Sequence, residues 1–241
     1  MRKILCLLVV ITGLSSCGEL QQVINQLPEG GGPLTQAEIG AGLREALNQG
    51  IERQVVKLAA ENGFYGNERL RILLPEQLQR VDRTLRDLGM GKLADDGLRL
   101  LNRAAEDAVG EAIPIFAEAV KGITFTDAKN ILLGPDSAAT VYLEGRTRNP
   151  LYGKFNPIIK NSFQKVGADR VWSQLIQRYN SLPLVEPVNP DLADYVTGEA
   201  LKGVYTAIAD EEKDIRNRIS ARSSELLRKV FALQDSYGGR P

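Results

Sequence analysis

The chain has 241 residues, with 30 Lys plus Arg balanced by 30 Asp plus Glu, a mixed surface that offers nucleic acid no basic face to bind. It contains no histidine, which removes imidazole acid–base catalysis, Ser-His-Asp and Cys-His nucleophiles and the usual zinc sites in one step. No GxxxxGK[ST], no GxGxxG behind a strand and no EF-hand spacing occurs, so no cofactor and no metal is expected.

Arg2 and Lys3 open the chain, Ile4 to Gly13 form an apolar stretch of ten residues, and Leu14-Ser15-Ser16-Cys17 is a small-residue cleavage site ending on cysteine. A membrane span needs roughly 20 apolar residues, so residues 1–16 are expected to be a cleaved export signal. The tetrapeptide resembles a lipobox, in which the cysteine thiol takes diacylglycerol before a peptidase cuts in front of it. Cys17 is then the lipidated first residue of the mature chain. Cys6 leaves with the signal, so no disulfide is expected, and removing Arg2 and Lys3 from the balanced charges leaves a net charge of −2. At roughly 0.8 kcal/mol per buried methylene, the two or three acyl chains that the lipobox implies anchor a protein firmly without spanning the bilayer. Gly18, rather than Asp, after the cysteine resembles the outer-membrane sorting pattern, so the expected address is the cell envelope, on the periplasmic face of the outer membrane.

Residues 17–34 read as a lipidated tether. Leu20, Val23, Ile24 and Leu27 follow helical spacing, and Pro28-Glu29-Gly30-Gly31-Gly32-Pro33 is a flexible spacer. The four apolar residues could dip into the membrane surface or pack on the domain. Packing or disorder is favoured, because the segment is short and carries no basic residue.

Apart from one short alternation, the periodic stretches of residues 35–241 are helical, which predicts an all-α fold: a single compact domain of about eight to ten helices. Thr35-x-x-Glu38 forms a capping box ahead of the stripe Ile39, Leu43, Leu47, Ile51, Val55 and Leu58, and Asn62-Gly63 reads as a left-handed C-cap. Leu70, Ile72 and Leu74 alternate as an extended connector. Pro75 then opens a helix through Leu78, Val81, Leu85 and Leu88. A long helix is expected from about Lys92 to Lys121, kinked at Pro114, and Thr126 or Asp127 caps a short one ending at Gly134. Asp136 starts another, and Asn149-Pro150 opens a separate helix that Pro157 bends and Gly167 stops. Val171, Trp172, Leu175, Ile176 and Tyr179 form the next stripe. Three prolines between Leu182 and Pro190 require a loop or strap. Asn189-Pro190 opens a long helix through Tyr195, Val196, Val204, Tyr205, Ile208 and Ile215, and Leu226, Leu227, Val230 and Phe231 mark the last one. No repeat of solenoid period is present.

Several of these segments together resemble one family. They are Gly42-Leu43-Arg44-Glu45-Ala46-Leu47, Leu101-Asn102-Arg103-Ala104-Ala105-Glu106, Asp127-Ala128-Lys129-Asn130-Ile131-Leu132, Ala138-Ala139-Thr140-Val141-Tyr142-Leu143, Asp191 to Thr197, Ile208 to Ile215 and Leu226 to Phe231. They are similar to the bacterial lipoprotein family known as domain of unknown function 4197, over about Thr35 to Phe231. The resemblance implies export and one helical domain, and it carries no catalytic residue.

Asn102 and Glu106 share a helix face at i,i+4, and Arg103 reaches Glu106 at i,i+3. With Thr140, Tyr142, Arg146 and Lys154 they make a candidate polar pocket, weighed against an internal network that fixes helix register. The acidic run Asp210-Glu211-Glu212 with Asp214 reads as a solvated face paired to Lys213, Arg216 and Arg218 rather than a cation site. Trp172, Tyr179, Tyr195 and Tyr205 lie on apolar stripes and read as core. The function expected is a non-enzymatic, membrane-anchored envelope lipoprotein that binds a protein, a lipid or cell-wall material. The competing reading is a carboxylate-dependent enzyme acting on cell-wall glycan, which rests on fold-level analogy.

Overall fold

Thr35 caps helix α1 (Gln36–Ala59). Its hydroxyl accepts from the Glu38 amide, and the Glu38 carboxylate takes the Thr35 N–H at 2.7 Å, so two orphan donors of the first turn are satisfied reciprocally. Those bonds hold the Glu38 carboxyl below its usual range. All six residues of the expected stripe are buried. The computed structural model describes residues 34–76, 79, 83, 86–87, 89, 91–181, 183–184 and 186–237. The expected export signal, Cys17, the expected tether through residue 33 and most of the helix expected after Pro75 lie outside the described residues.

α1 closes on Ala60 with extended backbone rather than on a left-handed Asn62-Gly63 cap. Asn62 does take a left-handed φ of 63°. Gly63 answers a different need: a Cβ there would stand 2.4 Å from the carbonyl oxygens of Lys57 and Leu58, so only glycine lets the chain fold back over the helix end. The first strap, residues 60–75, returns as turns and extended chain, and Ile72 within it is 1% exposed.

The long helix expected over 92–121 is two helices, α2 (Gly91–Val109) and α3 (Ala112–Lys121). Pro114 explains the break, although the turn falls at Gly110-Glu111 and not at the proline itself. A proline ring collides with the carbonyl four residues earlier, here that of Gly110, and is harmless within a first turn, so the chain restarts just before it. α4 (Phe125–Leu132) is capped by Thr124 in a box with Asp127, two to three residues earlier than the Thr126 or Asp127 cap that the spacing suggested. The same bonds lower the Asp127 carboxyl.

α5 (Ala138–Val166) runs unbroken through Pro150 and Pro157, where two helices were expected. Both prolines lie on the solvent side, where water can take the carbonyls they free. The opposite face is a strict i,i+4 row of Ala139, Leu143, Thr147, Leu151, Phe155, Ile159 and Phe163, buried at every position, and that row holds the helix together. Gly167 ends it in the left-handed region at φ 68°. α6 (Ala168–Asn180) follows, then a second strap, residues 181–190. α7 (Leu192–Asn217) is capped by Asp191, two residues past the expected start, and after a 3-10 turn at Ile219–Ala221 comes α8 (Glu225–Tyr237).

These elements form one all-helical domain, with no strand among the described residues. α7 lies at its centre, packed along α5 and across α1, while α1 also carries α3, α4 and α8. Close approach uses small residues: a Cβ on Gly42 would meet Val230 of α8 at 2.6 Å, and one on Gly203 would meet the Phe64 ring at 2.6 Å. The aromatic stripes are core elements. Tyr205 meets Phe116 edge-on and shares a 2.8 Å hydrogen bond with Thr147, and Trp172 stacks on Tyr195. Tyr179 is half-buried against the same core. Among the described residues no helix is long and apolar enough to cross a membrane.

Candidate functional site

The sequence singled out Asn102, Arg103, Glu106, Thr140, Tyr142 and Arg146, and the structure sets them in three places. Asn102 and Glu106 lie one turn apart on α2, 0% and 2% exposed, facing the first strap. The Asn102 amide receives the Ile72 N–H at 2.8 Å and donates to the Ile72 carbonyl at 2.9 Å, replacing a neighbouring β-strand for one residue. It also donates to Leu98 of its own helix. The Glu106 carboxylate accepts the amides of Asn62, Phe64 and Tyr65 at 3.1–3.4 Å. Arg103 is exposed and lies 3.7 Å from Glu106 and 3.0 Å from Asp107.

Thr140, at the start of α5, belongs to another centre, formed around Glu212 and Arg216 of α7. Ser137 gives α5 no side-chain cap, and Glu212 supplies one from across the core. Its carboxylate accepts the Ala139 and Thr140 amides, each at 2.9 Å, and the Thr140 hydroxyl at 2.8 Å. Arg216 does the converse for α4: its guanidinium donates to the Ile131 and Leu132 carbonyls at 2.7 and 3.1 Å, to Gln234 of α8 and to Glu212 itself. A carboxylate thus meets the positive end of one helix and a guanidinium the negative end of its predecessor. Arg222, 4% exposed, continues the pattern by donating to the Ile215 and Arg216 carbonyls at the end of α7 and to both oxygens of Asp235. Glu211 turns the other way and is held by Arg53 and Gln54 of α1.

Among the described residues no hydrogen bond or ion pair joins the Asn102–Glu106 group to the Glu212–Arg216 centre. Tyr142 stands with neither; Arg146 lies over its ring at 5.1 Å. Its hydroxyl is buried without a hydrogen-bond partner, and burial raises its pKa. Arg146 and Lys154 are exposed.

Glu211 and Glu212 correct the expectation of a solvated acidic face, since both are 7% exposed and Arg216 is 3% exposed. The signal lay in the apolar row of α7: Val204, Ile208 and Ile215 are spaced so that 211 and 212 fall on the same buried side. Two carboxylates inside such a row announce partners elsewhere in the chain. Arg222 and Gln234 carried no comparable signal. A cavity of about 30 Å³ adjoins this centre, lined chiefly by Leu43, Leu47, Ile51, Ile208, Ile215 and Phe231, with space for a water or two. Among the described residues no group of three or more His, Cys, Asp or Glu side chains is placed to hold a metal ion.

Fold and centre together define an all-helical domain whose buried charges finish the ends of its own helices. The model of the family described as Protein of unknown function (DUF4197) matches residues 33–232, and the chain belongs to that family. Neither a curated protein nor a solved structure matches it.

Proposed function

We propose that the protein is a non-enzymatic cell-envelope lipoprotein, held on the periplasmic face of the outer membrane by lipid on Cys17. Its helical domain serves as a binding or scaffold module for a protein, a lipid or cell-wall material. The observation that carries the non-enzymatic part is the saturation of the buried carboxylates. Glu106 accepts three amides, Glu211 an arginine and a glutamine, and Glu212 two amides, a hydroxyl and Arg216. A glycan-cleaving acid needs its carboxyl open to the scissile oxygen, and these three face backbone and side chains of their own domain. The anchor is supported by the charged start, the apolar stretch and the Leu14-Ser15-Ser16-Cys17 site.

Metabolic labelling with palmitate tests the anchor: wild type takes up label and Cys17→Ala does not, and label persisting in the variant overturns it. Pull-down from crosslinked envelopes with the intact protein tests the binding role. A reproducible partner is the expected result; no partner, together with activity on purified glycan, overturns it.

A further inference from the structure

The first strap carries Arg69 and Arg71, and α2 carries Arg99 and Arg103. One arginine of each element is neutralised: Arg69 pairs with Asp210 at 2.9 Å and Arg103 with Asp107 at 3.0 Å. Arg71 and Arg99 make no ion pair among the described residues. Both lie over the ring of Tyr65 instead, their guanidinium carbons 4.8 and 4.7 Å from its centroid.

Carboxylates stand close by along the chain, and none is used. Asp95 and Asp96 precede Arg99 by four and three residues, the spacing at which helix pairs form. Asp95 is held by Arg86 at 2.8 Å, while Asp96 is exposed and pairs with neither arginine. Glu68 in the strap is exposed likewise, and Glu106 is occupied by three strap amides. A tyrosine ring gives a cation about 0.5–1 kcal/mol at an exposed site, but no countercharge. The two ring distances together fall below roughly 10 Å, the screening length in 0.1 M salt, so the two guanidiniums repel. The backbone holds them there all the same. Glu106 binds the Tyr65 N–H at 3.4 Å, the Arg71 Nε donates to the Tyr65 carbonyl at 2.6 Å, and Asn102 clasps the next residue, Ile72. Both Nη groups of Arg71 and the whole fork of Arg99 are left without a protein acceptor among the described residues.

We propose that Arg71 and Arg99, on the platform of Tyr65, form a binding site for a phosphate group, carried either by a soluble phosphate or by a phospholipid headgroup. An arginine can stack on a ring and still present its N–H fork to an acceptor. A carboxylate offers one edge, which a single fork takes up. A phosphate group sets two or more unesterified oxygens around one phosphorus, so different oxygens can face different forks, and its charge relieves the repulsion between them. The site depends neither on lipid at Cys17 nor on the envelope address.

The intact protein, isotope-labelled, is titrated with sodium phosphate at constant ionic strength and followed through its arginine Nε–H signals, with Arg71→Gln and Arg99→Gln identifying the two of interest. The expected result is a saturable shift of both signals. Arg99→Gln should weaken binding several-fold, whereas Lys160→Gln, which removes the same charge from an exposed position on α5, should leave it unchanged. Arg71→Gln also loses the bond to the Tyr65 carbonyl; Arg99 is exposed on its helix, so its variant reads the site without disturbing the strap. Short-chain phosphatidylglycerol, added below its micelle concentration, is the second arm of the same measurement. Saturation at several-fold lower concentration than inorganic phosphate assigns the site to the lipid headgroup, and saturation by inorganic phosphate at an equal or lower concentration assigns it to a soluble phosphate; either supports the site. Saturation by neither, an equal loss in Lys160→Gln, or sodium acetate saturating as readily as phosphate overturns the proposal.

Discussion

The α4–α5 corner and the two straps face the same physical demand and meet it with different chemistry. Each leaves backbone groups inside the core without a helical partner, and a buried amide or carbonyl has to be paired. At the corner the unpaired groups are helix ends, all N–H on one side and all C=O on the other, and they are closed by Glu212 and Arg216. In the straps the exposed groups alternate. Asn102 closes Ile72 and, in the same way, Asn180 closes Val188, accepting its N–H and donating to its carbonyl, each at 2.8 Å. Glu106 fits the rule, because the turn it caps presents three amides and no carbonyl. Charge closes backbone of one polarity, and a neutral amide closes backbone of both.

The largest effect should come from Arg216→Ala, which leaves Glu212 charged and buried without its partner. We expect a loss of about 3–5 kcal/mol in stability by denaturant titration. A loss below 1 kcal/mol would mean that the corner is closed without charge. Asn102→Ala strips the N–H and carbonyl of the 1%-exposed Ile72 and should cost about 2–4 kcal/mol, with faster hydrogen exchange at the Ile72 amide. Asn180→Ala does the same to Val188, but from a partly exposed side chain nearer the surface, and about 1 kcal/mol is expected. Equal costs for the two asparagines would show that burial does not grade the clasp. The smallest effect concerns Tyr152, beside the second strap, whose hydrogen bond to Asp194 pushes its pKa from 10 up to about 12. A raised folded pKa stabilises fully below the unfolded value and is lost as pH rises through the folded one. Wild type should therefore shed this contribution between pH 10 and about 12, and Tyr152→Phe should flatten that part of an alkaline stability profile.

Much of this was legible in the chain itself. The α1 stripe and its Thr35–Glu38 box, the stop at Gly167 and the proline-rich second strap follow from local periodicity and capping chemistry, and the structure keeps them. Local rules failed where distant packing outweighed them. Pro150 and Pro157 stay within one helix because the buried row from Ala139 to Phe163 outweighs two lost hydrogen bonds on the wet side. Gly110, not Pro114, takes the turn because the proline ring collides with the carbonyl four residues before it. Asn102 and Glu106 were visible as a pair on one face, but their partners lie 30 to 44 residues away in the first strap, and no spacing rule reaches that far. Glu211 and Glu212 stand on the apolar row of α7, and that row decides their burial over the density of charge around them.

The corner clasp also bears on the order in which the molecule can be made. The helix ends at Ile131–Leu132 and Ala139–Thr140 are closed by side chains 72 to 85 residues further on. A chain that emerges N-terminus first carries this corner open until Glu212 and Arg216 arrive, so about the first seven-eighths of the 241-residue polypeptide cannot complete its own backbone bonding. Any shortened product ending before α7 would keep that corner unfinished and present it to proteases, which makes truncation at this point self-eliminating.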